Sequence, residues 1–142
     1  METLFSNLGL GLSAVLAIEG VDIFGVTLNI PMNIVYCFLG ALIGTLVGVL
    51  PGLGPVATMA MLLPITYVLP PFGGLIMLAG IYYGAQYGGS TTAILVNLPG
   101  ETSSVVTCLD GYQMARQGRA GAALSIAALG SLFAGCISTM LL

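Results

Sequence analysis

Two short segments hold the residues whose types and spacing could do chemistry. In the first, Pro51-Gly52-Leu53-Gly54-Pro55, the glycines permit a tight turn and Pro55 suits the first position of a following helix. In the second, Tyr87-Gly88-Gly89-Ser90-Thr91-Thr92, a run of hydroxyls follows a glycine pair, and Ser90 or Thr91 could cap a helix that starts there. A helix that begins or ends at either place leaves backbone N–H or C=O groups without intrahelical partners. Free N–H groups, with the partial positive charge of a helix N-terminus, receive an anion, whereas exposed carbonyls receive a cation such as Na⁺. The expected substrate- or ion-binding set is therefore Gly52, Gly54, Pro55, Gly89, Ser90, Thr91 and Thr92. Asn97 joins it, being far enough along to point back into the same cavity. The alternative is that both segments are ordinary surface loops with local capping.

Missing residue types exclude most other chemistry. There is no His, so there is no imidazole base, no Ser-His-Asp or Cys-His arrangement and no His metal ligand. Lys is absent, which removes the Walker-type phosphate loop. Cys37, Cys108 and Cys136 share no metal-ligand or redox spacing and read as small packing residues. Ser90 has no base and its surroundings do not match Gly-x-Ser-x-Gly. The chain is not expected to be an enzyme or to carry a resident cofactor or metal, a coupling Na⁺ being the one small partner in view. A transport role, a channel or a scaffold remains.

The elements that must position these residues lie in a membrane. Of 142 residues, 58% are hydrophobic and 5% charged, against about a quarter charged in soluble domains. The only bases are Arg116 and Arg119, the acids are Glu2, Glu19, Asp22, Glu101 and Asp110, and residues 23–100 carry no formal charge. As a helix that stretch would cross a ~30 Å hydrocarbon core almost four times. Nucleic-acid binders, soluble enzymes and disordered tails are set aside. The expectation is an all-α integral membrane protein with multi-pass helices and broken or re-entrant half-helices.

Along the chain, residues 4–18 read as a short interfacial helix, the alternative being a full crossing that continues to Ile30 with Glu19 and Asp22 inside it. Those acids are otherwise expected in water. Residues 31–50 form a transmembrane span in which Gly40, Gly44 and Gly48 line one face for close helix approach. Residues 56–69, with Pro64 inside, are too short to span and read as re-entrant. Residues 72–98 read as a span plus a half-helix, 101–120 as a polar loop or interfacial helix, and 121–142 as a last span. The two arginines place 101–120 on the cytoplasmic side if the positive-inside tendency holds. No basic n-region precedes the first apolar stretch, so a cleaved signal peptide is not expected.

Three runs carry a family resemblance. GTLVGVLPGLGPVATMAMLLPITY (44–67), GIYYGAQYGGSTTAILVNLPGE (80–101) and LDGYQMARQGRAGAAL (109–124) resemble the large membrane subunit of tripartite tricarboxylate transporters, the TctA family. The likeness covers essentially the whole chain. Such subunits are several times longer, so the resemblance implies an N-terminal part of a longer permease, one half of an inverted-repeat transporter. It also implies a bacterial inner-membrane location, a small membrane subunit and a periplasmic solute-binding protein as partners, and uptake of citrate or a related carboxylate driven by an ion gradient, Na⁺ by preference. A passive channel or carrier, or a structural membrane subunit without its own substrate site, is the alternative.

Overall fold

The computed structural model describes residues 2–16, 19–23 and 26–141. Helix α1 spans Glu2–Val15, strands β1 and β2 span Glu19–Ile23 and Val26–Ile30, and helices α2 to α6 span Met32–Gly48, Pro55–Thr66, Pro71–Val96, Ser104–Arg116 and Ala120–Leu141. The small hairpin is the departure from an all-α reading. Its strands pair antiparallel with Glu19 opposite Ile30 and Ile23 opposite Val26. Val21, Ile23, Val26, Thr27 and Ile30 are β-branched, a strand preference that a count of apolar residues hides. The hairpin also removes the alternative of one crossing running on to Ile30. The side chains of Glu19 and Asp22 lie outside the described set.

Helices α2 and α4 form the core. Gly40, Gly44 and Gly48 are the buried residues of α2, and they lie against Met77, Ile81 and Ala85 of α4. In return, Gly80, Gly84 and Gly88 of α4 lie against Cys37, Ala41 and Thr45. Sequence numbers rise together on both sides, so the two helices run parallel. A Cβ at Gly48 would stand 2.5 Å from the Ala85 Cα, and one at Gly88 2.6 Å from the Thr45 carbonyl oxygen. Backbones this close require glycine. The glycine face expected on α2 is thus spent inside the chain, on α4, and not on a separate partner. Helix α3 carries the chain back from the end of α2 to the start of α4, ending where the Thr66 carbonyl comes to 3.2 Å from a Cβ position on Gly74. It continues through Pro64 to Thr66.

Helix α4 is continuous over 26 residues, about 39 Å. The half-helix break expected at 88–92 is therefore absent. The Ser90, Thr91 and Thr92 hydroxyls donate to the carbonyls of Gln86, Tyr87 and Gly88 one turn earlier, a satisfaction available only inside a helix. Chain reversal comes later, at Asn97, which takes the left-handed conformation with φ 60° and precedes Leu98-Pro99-Gly100. Residues 104–116 adopt the helical alternative of the polar segment.

Helix α6 is long and apolar enough to cross a membrane, and Phe5–Val15, Met32–Gly48 and Pro55–Thr66 are shorter apolar helices. Helix α4 is long and uncharged but diluted by Gly, Tyr, Ser and Thr. Phe38, Leu46, Val56, Leu75, Leu132 and Phe133 are each over 60% exposed, an exterior suited to lipid or to further protein and not to water.

Candidate functional site where two loops meet on α4

Two non-helical segments, 49–54 and 97–103, converge on the flank of α4. The first reverses the chain after α2 through Gly52, whose φ of 87° is open to glycine and strained for other residues. Gly54 then precedes the buried Pro55, the first residue of α3. Thr58, fully buried, locks this start: its N–H and its hydroxyl both donate to the Gly54 carbonyl, at 3.0 and 3.1 Å. The second segment folds back along α4. A Cβ on Gly100 would stand 3.1 Å from the Gly89 Cα, and the Gln86 Nε2 donates to Glu101 Oε1 at 2.6 Å. The two segments touch each other as well, since a Cβ on Gly54 would lie 3.7 Å from the Glu101 Cβ and 3.9 Å from its Oε2. Gln86 sits about 22 Å from the start of α4 and about 15 Å from its end. The meeting point is part-way along the longest helix.

Its chemistry centres on Glu101, which is half-buried. Oε1 accepts hydrogen bonds from Gln86 Nε2 and from the Ser103 hydroxyl. The Glu101 backbone N–H donates to Ser104 Oγ at 3.2 Å, and that hydroxyl donates to the Glu101 carbonyl at 2.8 Å. Gln86 Oε1 is buried and has no hydrogen-bond partner among the described residues. The short 49–54 turn also sets the C-terminal end of α2, partially negative, beside the N-terminal end of α3, partially positive. Carbonyl and carboxylate oxygens suited to a cation therefore lie next to N–H groups suited to an anion.

The expected residues divide. Gly54, Pro55 and Gly89 are brought together at the meeting point, and Ser90 lies half-buried one turn along α4 from Gln86. Gly52 shapes the turn and has open space around it. Thr91 is half-buried and bonded to its own helix. Thr92 is buried, and its hydroxyl also donates to the Val49 carbonyl at 2.8 Å, closing the end of α2. Asn97 is exposed at the α4 terminus, about 12 Å along the axis from Gly89. Gln86 and Glu101 escaped sequence reasoning. Their signal was present: Gln86 is the one side-chain amide in α4, and Glu101 is the first charge after residues 23–100. A separate cleft of about 290 Å³ between α4, α5 and α6 is mainly apolar and shares no residue with this cluster.

Helix ends gathered around a carboxylate in an apolar chain of few charges resemble the organisation of membrane transporters that bind their cargo at discontinuous helices. The chain belongs to the family described as Tripartite tricarboxylate transporter TctA family, which matches residues 34–142, and so to a transporter's membrane component. It is 64% identical over 142 residues to the "Uncharacterized 52.8 kDa protein in TAR-I ttuC' 3'region" of Agrobacterium vitis, covering 100% of this chain and 26% of that relative. No solved structure matches it.

Proposed function

We propose that this chain supplies part of the substrate and ion path of a multi-pass permease in the bacterial inner membrane. The permease works as a binding-protein-dependent secondary transporter. A periplasmic solute-binding protein delivers citrate or a related carboxylate, a small membrane subunit completes the complex, and an ion gradient, Na⁺ by preference, drives uptake. The observation that carries this reading is the convergence of 49–54 and 97–103 on α4. Irregular backbone away from water costs several kcal/mol per unpaired group unless it lines protein or a wet cavity. Here it is organised around Gly54, Gly89 and Glu101.

In this reading the N-terminal end of α3, beginning at Pro55, receives a substrate carboxylate, and Ser90 and Thr91 are within the same stretch of α4. Thr92 contributes by holding α2 and α4 together. The test is labelled citrate uptake into proteoliposomes that hold the full-length protein and its small membrane partner, with binding protein outside. Accumulation that requires both the binder and an inward Na⁺ gradient is the expected result. Downhill equilibration without a binder would indicate a passive carrier. With folded, binder-docking protein, absence of uptake for citrate and a panel of di- and tricarboxylates would overturn the assignment.

A further inference from the structure

We propose that Glu101 and Gln86 form a site for an alkali cation, Na⁺ in the first instance, and that the ion must be in place before a carboxylate can bind beside α3. The inference rests on the transporter reading above and assigns it an ion site. Gln86 Oε1 is a buried acceptor that nothing among the described residues satisfies, a state that costs free energy unless a ligand fills it. The amide cannot correct this by turning over. Its Nε2 is held by Glu101 Oε1 at 2.6 Å, and a flipped amide would set two acceptors against each other. A cation meets the need, because amide carbonyls, carboxylates and hydroxyls are the oxygen ligands of hard ions. Glu101 brings the charge, Ser103 a hydroxyl on the same carboxylate. The Gly48 carbonyl, at the negative end of α2, lies 4.0 Å from a Cβ position on either Gly89 or Gly100. Among the described residues no group of three or more His, Cys, Asp or Glu could hold a metal ion, so a transition-metal site is not what these residues build.

Charge balance gives the ion its consequence. The only basic side chains, Arg116 and Arg119, are exposed, and Arg116 closes the helix that starts at Ser104, about 18 Å along its axis. An anion arriving at Gly54 and Pro55 therefore meets the Glu101 carboxylate with no basic side chain of this stretch beside it to offset it. An ion held between the two removes that repulsion and ties substrate binding to the ion.

The experiment uses the purified full-length permease with its small subunit, without carboxylate, and follows Tm at constant ionic strength as NaCl replaces choline chloride. A saturable, Na⁺-specific rise is expected in the unaltered protein. It is expected to vanish in Glu101→Gln and Gln86→Leu and to survive in Asp110→Asn, an exposed acid outside the cluster. If Glu101→Gln does not fold, Glu101→Asp keeps the charge and should weaken half-saturation by Na⁺ about tenfold. No Na⁺-specific rise in the unaltered protein overturns the inference, and so does an undiminished rise in folded Glu101→Gln. A pH-dependent, Na⁺-independent response that Glu101→Gln abolishes would also overturn it, making Glu101 a proton acceptor. Because the Tm experiment contains no substrate, Na⁺ binding without uptake of any carboxylate in the proteoliposome assay would sink the transport reading and leave the ion site standing, whereas carboxylate uptake that needs no Na⁺ would sink the ion site and leave transport coupled to another ion standing.

Discussion

Thr92 and Asn97 show how a side chain's neighbours reassign it. Both are polar residues near an expected site, yet Thr92 donates to Val49 and Gly88 carbonyls and Asn97 supplies a left-handed turn. Thr92→Val keeps the shape and removes the donor, leaving the part-buried Val49 carbonyl without this partner. We expect a loss of about 1–3 kcal/mol in stability, read as a lower Tm in detergent, with the response to Na⁺ retained. Asn97→Gly should be neutral or mildly stabilising, because glycine adopts positive φ freely. Asn97→Val should cost at least about 1–2 kcal/mol, the penalty of a left-handed conformation that is larger still for a β-branched residue. Transport that survives in Asn97→Gly would take Asn97 out of the substrate path.

Among the elements, the parallel pair α2 and α4 carries the architecture. Gly44 and Gly84 sit where a Cβ would strike the Ile81 and Ala41 carbonyl oxygens, and backbone cannot move aside as a flexible side chain can. Gly44→Ala or Gly84→Ala is expected to cost about 1–3 kcal/mol or prevent folding, seen as loss of monodisperse protein after extraction. Gly9→Ala and Gly121→Ala, in helices with nothing within 4 Å of the added atom, should extract normally. Gly89→Ala is the informative neighbour of Gly88. Its Cβ would make ordinary contacts at 3.8 and 4.0 Å, so the protein should fold while the meeting point of the two loops is narrowed. A Gly89→Ala protein that unfolds as Gly84→Ala does would contradict this packing.

At the level of the whole molecule, the fold-back of 97–103 is what turns separate helices into a site. Gly100→Val would push this segment off Gly89, from which a Cβ stands 3.1 Å away, and carry Glu101 with it. Uptake by the assembled complex should fall about tenfold or more in kcat/KM, with insertion and binding-protein docking intact. Unchanged uptake would show that the fold-back does not matter to transport. Much of this molecule was legible in its residues. The uncharged run 23–100, the glycines four apart on α2 and the Pro-Gly-Leu-Gly-Pro turn are local patterns, and periodicity and composition act over a few residues or on the chain's partition into lipid. The Gly88-Gly89 pair misled for the same reason: read locally it is a helix breaker, but parallel packing against Thr45 and Gly48 holds it helical. Which side of that helix the chain returned to, and that it set Glu101 against Gln86 and Gly54, no local pattern could state. Those contacts join residues far apart in sequence, and their energy exists only once α2, α3 and α4 have packed. The chain's own residues determined an apolar, helical transporter component with a turn at 51–55, and tertiary structure decided that α4 runs unbroken, where the loops meet on it and which carboxylate stands there.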